Sequence, residues 1–338
     1  MSTTVFEPIV CGETLPVHNV HAVSVSMPTL QDVIDYEEQT LAIKEKIKSG
    51  YPRFVLHPYL KLMAEFLKEK YNVPNQYEVV LLSSQKAVKI VSEKYFIHNP
   101  FTINEPFGVI LVLNNTSQLQ KVLTFIQHVG CNLSSRFAQE YLLDNKVIHN
   151  RHEEELESRE TAYETVVSTL ATAYEQPKEN ICLAPSGMNA IYAVLKGLKS
   201  IQAKNGRTIL VQFGWLYLDT MNIVQHHFKN SKIFYSINHL DALERYLKEE
   251  GLKVSAIITE VPTNPLVQTV DLVRLKSLCS AYNIPLVIDS TLATAYNLDL
   301  KPYADILVES LTKFACGNAD VLMGALILNE NSNIGVIK

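Results

Sequence analysis

The sequence of 338 residues lacks the features of a secreted, disulfide-stabilised protein. Its few cysteines are widely spaced and form no Cys-x-x-Cys pair, which is typical of reduced thiols. They are Cys11, Cys131, Cys182, Cys279 and Cys316. Residues 1–12 contain no basic stretch followed by an apolar run, the pattern of a secretory leader. We therefore expect a cytoplasmic protein.

Basic runs and long apolar runs are also missing. The formal net charge is −5, and no cluster of Lys and Arg suits a phosphate backbone. No apolar stretch approaches the roughly 20 residues that cross a bilayer. The histidines His98, His128 and His149 are scattered, so no metal site is predicted. We expect neither a nucleic acid nor a membrane as a partner.

The composition, 47% hydrophobic and 19% charged, is that of a globular protein. We divide the chain into an N-terminal arm with a helix (1–74), a small α/β insertion (75–150) and a large domain (151–338). The insertion is predicted from alternating patterns, namely a strand at 79–82, a helix at 85–95, a strand at 107–113 and a helix after Ser117.

The large domain alternates regularly between strand and helix patterns. Strands are predicted at 208–213, 233–236, 254–259, 285–289, 305–308 and 321–328, and helices at 188–198, 218–228, 240–249 and 272–282. Helices of this length between strands make parallel crossovers, so we predict a doubly wound, mostly parallel sheet with helices on both faces. Ligands of such sheets bind beyond the carboxyl ends of the strands.

Lys313 lies between two of these strand patterns, with the hydroxyl residues Ser310 and Thr312 just before it. Upstream, the strand Leu286–Val287–Ile288 ends in Asp289. A lysine amine, a buried acid and hydroxyls are the groups that hold pyridoxal 5'-phosphate through its aldehyde, ring nitrogen and phosphate. The same pattern also fits a surface lysine whose stem covers apolar residues. The lysine stretch alone leaves both interpretations open.

Three further stretches each have a functional and a purely structural interpretation. Ser186-Gly187-Met188 precedes a helix, so it is either a phosphate cradle or a plain helix start. Tyr217 follows a strand and either covers a planar ring or packs in the core. Asn264, between two prolines, either donates to a ligand oxygen or is a turn residue.

Taken together and in order, these stretches resemble the Cys/Met-metabolism (transsulfuration) family of fold-type-I pyridoxal-phosphate enzymes. The motifs are Ser186-Gly187-Met188, Tyr217-x-x-Thr220, Glu260-x-Pro262-Thr263-Asn264-Pro265, Asp289-x-Thr291-x-Ala293-Thr294 and Ser310-x-Thr312-Lys313-x-x-x-Gly317-x-x-Asp320. The long N-terminal half is similar to the extended, cystathionine-γ-synthase-like branch known from fungi. The resemblance runs from about residue 181 to the end.

The resemblance implies a role for each matching residue. Lys313 forms the imine with the cofactor, Asp289 pairs with the pyridine nitrogen, and Tyr217 stacks on the ring. Asn264 lies near the phenolic oxygen, and the phosphate is surrounded by Gly187, Met188, Ser310 and Thr312. The pair Tyr51-x-Arg53 resembles a family motif that reaches the phosphate of a neighbouring subunit. Arg151 and Arg159 are rival candidates for that arginine.

Several positions depart from the family pattern. Asn189 replaces a small residue, Ser290 replaces an asparagine, Glu309 stands where a histidine is common, and residues 315–319 replace a Gly-Gly-His-Ser run. From the 25 residues that follow Lys313 in the given sequence, we also expect that the family's C-terminal domain, with its carboxylate-binding arginine, is missing. These departures bear on substrate specificity.

We hypothesise a cystathionine-γ-synthase-like enzyme that replaces the γ substituent of an O-acylhomoserine with cysteine. Its substrates would be amino acids (O-acylhomoserine, cysteine or cystathionine), and its assembly a homodimer or homotetramer. The alternative is an incomplete or non-catalytic subunit that binds the cofactor or a full-length paralogue. A generic α/β binding domain with coincidental motifs is a third hypothesis.

Overall fold

The structure, a computed structural model, describes residues 9–38, 40–47, 49–100, 102–332 and 334. The chain forms two compact units. The first contains the described residues up to Gln127 together with 131–154 and 316–322, and the second contains 128–130, 155–315 and the described residues from Met323 onward. The predicted division at residues 74 and 150 stays a prediction, and part of the predicted arm, residues 1–8, lies outside the described residues.

The first unit combines short strands with helices. Its elements are β1 (Thr14–Leu15), β2 (Ser24–Val25), α1 (Leu30–Glu37), α2 (Leu41–Lys46), α3 (Pro58–Lys70), β3 (Tyr77–Leu82), α4 (Gln85–Tyr95), β4 (Gly108–Leu113), α5 (Ser117–Val129, whose last two residues belong to the second unit) and α6 (Ser135–Asp144). Strands β3 and β4 pair antiparallel. The Ser84 side chain accepts a hydrogen bond from the Ala87 amide, which explains why α4 begins where it does.

The core of the first unit lies between α3, α6 and the β3–β4 pair. Leu60, Met63 and Leu67 recur at helical spacing on α3 and are buried against Val79 and Leu111 of the strands. The apolar stripe of α3 is therefore a packing face, as its periodicity predicts.

The second unit consists of one sheet and its crossover helices. Its elements are α7 (Arg159–Ala173), β5 (Ile181–Ala184), α8 (Gly187–Ala203), β6 (Ile209–Phe213), α9 (Leu218–His227), β7 (Ser231–Phe234), α10 (Leu240–Glu250), β8 (Val254–Glu260), α11 (Leu272–Ala281), β9 (Leu286–Asp289), α12 (Thr294–Asn297), β10 (Ile306–Glu309) and β11 (Gly324–Leu328). Short 3-10 turns at Lys178–Asn180 and Gly251–Lys253 precede β5 and β8.

The sheet has seven strands in the order β5-β11-β10-β9-β8-β6-β7. Neighbours from β10 to β7 pair in parallel, whereas β11 runs antiparallel to both β10 and β5. Six strands therefore share one direction, so the prediction of a mostly parallel α/β sheet is confirmed. The carboxyl ends of β5, β6, β8, β9 and β10 lie along one edge of the sheet.

The central strands are buried along their whole length. All seven residues of Val254–Glu260 and all four of Leu286–Asp289 are buried, which explains why they read as continuous apolar runs instead of alternating ones. Each of these runs nevertheless ends in a carboxylate. Such a position is costly unless the charge is compensated or removed.

One strand begins later than predicted, and one strand was not predicted. The strand predicted at 321–328 begins only at Gly324, because the main chain of Met323 is bonded to the Thr312 side chain instead of to a neighbouring strand. Residues 181–184 form an additional strand that pairs with β11 and that the helix–strand alternation did not reveal.

Among the described residues, the structure contains no helix that is both long and apolar enough to span a bilayer.

Gly324 is predicted to be intolerant of a side chain. A Cβ there would lie 2.3 Å from the Ser186 carbonyl oxygen and 2.6 Å from the Gly187 nitrogen, both main-chain atoms at the start of α8. We expect Gly324→Ala to lower the free energy of unfolding by about 1–3 kcal/mol, measured by urea denaturation.

The control is Gly197→Ala within α8, where a Cβ would meet no described heavy atom within 4 Å. This substitution should raise the free energy of unfolding by about 0.5–1 kcal/mol, because alanine favours the helix. Equal effects of the two substitutions would contradict the packing described for Gly324.

Candidate functional site

Most of the predicted site residues follow strands of the second unit at one edge of its sheet. They are Gly187 and Met188 after β5, Tyr217 after β6, Asn264 after β8, Asp289 at the end of β9, and Ser310, Thr312 and Lys313 after β10. The parallel direction of these strands brings segments from distant parts of the sequence to the same edge.

Asp289 is the acid at the centre of this edge. It is only 8% exposed, and its Oδ1 accepts hydrogen bonds from the Thr291 amide at 3.0 Å and the Thr291 hydroxyl at 2.6 Å. Burial raises the pKa of the Asp289 carboxyl, although the two Thr291 hydrogen bonds oppose the shift. A positive charge nearby would favour the ionised form of Asp289.

Glu260 lies beside Asp289 in the register of β8 and β9. Its two carboxyl oxygens accept from the Tyr217 amide at 2.7 Å and from the Asn264 amide at 2.9 Å. Burial and the charge of Asp289 raise the pKa of Glu260 to about 8, against the effect of the two amides. Glu260 thus connects the loops after β6 and β8. Its ionisation is disfavoured by the charge of Asp289.

A third buried acid, Glu309, ends β10. The Tyr174 hydroxyl of α7's C-terminal end donates to Glu309 Oε2 and lies 3.0 Å from the Ser290 hydroxyl. Burial raises the pKa of Glu309; the Tyr174 hydrogen bond opposes the shift, and the charge of Asp289 adds to it. Tyr174 was not predicted from the sequence, because its position at the end of a charged helix carries no signal of its packing against Glu309.

Lys313 lies in the loop between β10 and β11. Its side chain is exposed, and its amide donates to the Ser310 carbonyl at 3.1 Å. Ser310 is itself held by a hydrogen bond from its amide to the Thr291 hydroxyl at 2.9 Å. Thr291 therefore connects the Asp289 carboxyl to the segment that leads to Lys313.

The Thr312 side chain closes this loop instead of facing outward. Its hydroxyl donates to the Met323 carbonyl at 3.2 Å and accepts from the Met323 amide at 3.0 Å. Residues 313–322 consequently form a loop with a closed base. The predicted contact of the Thr312 hydroxyl with a phosphate stays a prediction.

Helix α8 begins beside the same loop. The Ser186 hydroxyl caps the helix by accepting from the Asn189 amide at 3.0 Å, and Gly187 follows as its first residue. A Cβ at Gly187 would lie 2.6 Å from the Ser310 Cβ, so only glycine allows Ser310 this close to the helix N-terminus. A hydroxyl next to helix N-terminal amides suits an anion.

Tyr217 and Asn264, predicted to lie against the cofactor ring and its phenolic oxygen, contact Glu260 through their main chains. Tyr217, half-buried, precedes α9, and Asn264 has an exposed side chain. Both donate their amides to Glu260. The predicted roles of the Tyr217 ring and the Asn264 amide group stay predictions.

Tyr51 and Arg53 belong to the first unit. The Arg53 guanidinium is buried, donates to the Gln127 carbonyl at 2.6 Å and lies over the Tyr51 ring at 5.2 Å from its centroid. Of the rival arginines, Arg151 forms an exposed ion pair with Glu140, and Arg159 is the exposed first residue of α7.

The groups at the sheet edge fit pyridoxal 5'-phosphate. A protonated pyridine nitrogen would favour the ionised form of Asp289, whose pKa is raised by burial. The start of α8, with Gly187 and the Ser310 hydroxyl in contact, suits a phosphate. Lys313, in the loop that follows Ser310, supplies a primary amine that could form an imine with an aldehyde. Within the described part of the chain, no group of three or more His, Cys, Asp or Glu is arranged to hold a metal ion.

Comparisons with known proteins agree on one family. The sequence model described as "Cys/Met metabolism PLP-dependent enzyme" matches residues 111–336. The L-2-amino-4-chloropent-4-enoate dechlorinase/desaturase of Streptantibioticus cattleyicolor is 35% identical over 325 residues, covering 93% of this chain and 63% of that protein. The cystathionine gamma-synthase of Neurospora crassa is 40% identical over 160 residues, covering 46% of this chain and 26% of that protein.

Among solved structures, the chain is similar to an O-acetylhomoserine (thiol)-lyase from Campylobacter jejuni. The TM-score is 0.45 and the identity 22%, with 59% of this chain and 47% of the other chain covered. The chain spans less than two thirds of the length of the two curated relatives described above.

The raised pKa of Glu260 predicts a pH-dependent stability of the cofactor-free protein. The pKa of Glu260 is about 8 in the folded state, against the ordinary 4.5. Between about pH 5 and pH 8, Glu260 is therefore protonated in the folded state and ionised in the unfolded state. The free energy of unfolding should therefore fall as the pH rises through this window. In Glu260→Gln, the slope of the free energy of unfolding against pH should become shallower by the amount that corresponds to about one proton.

The measurement is urea denaturation at several pH values. The control Glu249→Gln changes an exposed glutamate of α10 and should leave the slope as it is. The absolute stability of Glu260→Gln falls as well, since one amide loses its carboxylate acceptor, so the slope and not the midpoint is the readout. An unchanged slope would contradict the assignment of the proton to Glu260.

Proposed function

Because the chain belongs to the Cys/Met metabolism PLP-dependent enzyme family, with pyridoxal 5'-phosphate as its cofactor, we propose that it acts on amino acids that carry a leaving group on the γ carbon. The specific reaction that we propose is cystathionine-γ-synthase-like, namely replacement of the acyloxy group of an O-acylhomoserine by the thiol of cysteine. The buried acid cluster around Asp289, at the sheet edge that leads to Lys313, is the observation that carries this proposal.

When bound, pyridoxal phosphate supplies an electron sink for a negative charge that develops next to the substrate nitrogen. Asp289 would hold the ring nitrogen protonated, because its buried carboxylate gains most from a positive partner. Lys313 would hold the cofactor aldehyde in the resting enzyme and, as a free amine, move protons between the α and β carbons of the substrate.

The remaining predicted residues would position the cofactor. The amides at Gly187 and Met188 and the Ser310 hydroxyl would bind the phosphate at the start of α8. The Tyr217 ring would cover the pyridine ring and the Asn264 side chain would donate to the phenolic oxygen. We propose that Thr312 contributes by holding the base of the Lys313 loop through Met323, and a direct phosphate contact would need this pair to open.

The resemblance of Tyr51-x-Arg53 to a family motif supports an assembly with shared sites. In a homodimer or homotetramer, Arg53 of one subunit would bind the phosphate of its neighbour, which would require the buried guanidinium to be uncovered. The cation–π contact of Arg53 with Tyr51 holds the guanidinium in a defined place. Arg53→Ala should then weaken the binding of pyridoxal phosphate without altering the absorbance maximum of the bound cofactor.

A second candidate reaction follows from the relative that is 35% identical over most of this chain. Its name describes the loss of chloride from carbon 4 of an amino acid, which is the carbon that carries the acyloxy group in an O-acylhomoserine. The same proton transfers by Lys313 would serve both substrates. We propose elimination without a thiol as the alternative reaction.

The decisive experiment combines turnover with a lysine variant. The purified chain with pyridoxal phosphate should be yellow and should convert O-acetylhomoserine or O-succinylhomoserine with cysteine to cystathionine, followed by mass spectrometry. In Lys313→Ala the visible absorbance and the turnover should both be lost, because the variant has no amine for the aldehyde. The control Lys301→Ala removes a lysine that forms surface ion pairs and should leave both unchanged.

The outcomes distinguish the hypotheses. A keto acid formed without cysteine would favour elimination over replacement. A yellow protein whose absorbance depends on Lys313 but which turns over neither substrate would favour a cofactor-binding, non-catalytic subunit. A colourless chain, or one whose absorbance survives Lys313→Ala, would overturn the proposed site.

A further inference from the structure

The segment 316–322, which follows Lys313 almost directly, belongs to the first compact unit, although the residues on both sides of it belong to the second. Contacts of this segment within the first unit therefore restrain the loop that carries Lys313. These contacts come from residues 19, 23 and 136, far from Lys313 in the sequence.

Arg136, in the first turn of α6, makes the main contact. Its Nη1 donates to the Asp320 carbonyl at 2.7 Å, and its Nη2 donates to Asp320 Oδ2 at 3.1 Å. The opposite edge of the guanidinium binds both carboxylate oxygens of Glu154, at 2.8–3.0 Å. Glu154 therefore fixes the plane of the guanidinium, and Arg136 in turn fixes both the main chain and the side chain of Asp320.

Further polar contacts also involve this segment. Asn19 donates to Asp320 Oδ2 at 3.1 Å, and the Cys316 thiol lies 3.5 Å from Asp320 Oδ1. The Val23 amide donates to the Ala319 carbonyl at 2.7 Å. Ala319 has a φ of 52°, which a residue with a Cβ adopts only when its surroundings impose it. The first unit thus holds the segment in one particular conformation.

The loop that contains Lys313 is consequently fixed at two places. At its base, the Thr312 hydroxyl is bonded to both main-chain groups of Met323. Seven residues after Lys313, Arg136 and Glu154 hold Asp320, and all three side chains are at least three-quarters buried. Charged hydrogen bonds that are shielded from water contribute more than surface ion pairs.

We propose that Arg136 is a positioning residue for Lys313, acting through Asp320. In this role Arg136 restrains the loop in which the lysine stands. This gives a role to the α/β insertion of residues 75–150, which contributes α6. The proposal rests on the assignment of Lys313 as the cofactor lysine.

The first test measures hydrogen exchange at the amides of Lys313 and Met323 in the full chain, with and without pyridoxal phosphate. Both amides are hydrogen-bonded within the loop base. In Arg136→Gln, their exchange should accelerate about tenfold or more, as expected from the loss of buried charged hydrogen bonds. The amides of β3 and β4 should keep their rates.

The second test measures cofactor binding through the visible absorbance. In Arg136→Gln, the concentration of pyridoxal phosphate that half-saturates the protein should rise about tenfold, in line with the same lost hydrogen bonds. Arg136→Lys should recover part of this loss, because it keeps the charge but cannot bind Asp320 and Glu154 at once in the geometry of a guanidinium. If Arg136 had a purely structural role, Arg136→Lys would not bind the cofactor better than Arg136→Gln while exchange accelerated only at Lys313 and Met323.

The matched control is Lys68→Gln, which removes another ion pair of the first unit, with Glu78, and should alter neither readout. If Arg136→Gln does not fold, Asp320→Asn serves instead, since it spares the Arg136–Glu154 pair and should give the same effects at smaller size. Exchange rates and half-saturation within about twofold of the unmodified protein, in whichever variant folds, would overturn the proposal.

The two readouts also separate this inference from the proposed function. Accelerated exchange in the cofactor-free chain supports the restraint by Arg136 whatever the cofactor chemistry is. If that result came with an absorbance that survives Lys313→Ala, the assignment of the lysine would fail and the positioning role of Arg136 would fail with it, whereas the restraint of the loop would stand.

Discussion

Three carboxyl groups buried at the ends of neighbouring parallel strands dominate the electrostatics of the second unit. Glu260, Asp289 and Glu309 end β8, β9 and β10, and each has a pKa raised by burial. Because like charges disfavour one another's ionisation, a cation at this edge would favour the ionised forms of these acids. A protonated pyridine ring beside Asp289 would be such a cation.

The hydrogen bonds around the acids connect this electrostatic constraint to the loops. Glu260 accepts from Tyr217 and Asn264, so one carboxylate holds the loops after β6 and β8. Thr291 links Asp289 to Ser310, and Tyr174 links Glu309 to α7. The main chains of Tyr217 and Asn264 are therefore held by Glu260, which makes the loops that carry them sensitive to the protonation of this acid.

The loop of Lys313 depends on a second set of bonds. Its base is closed by Thr312 and Met323, and the segment that follows is held by Arg136 and Glu154 within the first unit. The residues matched by the family's sequence model, 111–336, include both Arg136 and Lys313. A polar network of this kind is effective only when each member has its partner, so Arg136, Glu154 and Asp320 are constrained together.

The sequence by itself determined the family, the parallel sheet and the residues that follow its strands, since the buried strands and crossover helices leave regular apolar patterns and the ordered motifs around Asp289 and Lys313 are specific. It also indicated where α4 begins, a boundary set by a local contact of the Ser84 side chain with the Ala87 amide. Only the tertiary structure decided that Thr312 bonds to Met323, that Tyr174 pairs with Glu309 and that Arg136 holds Asp320. Those contacts join residues up to 184 positions apart, and no local pattern encodes which distant partner a hydroxyl or a guanidinium will meet.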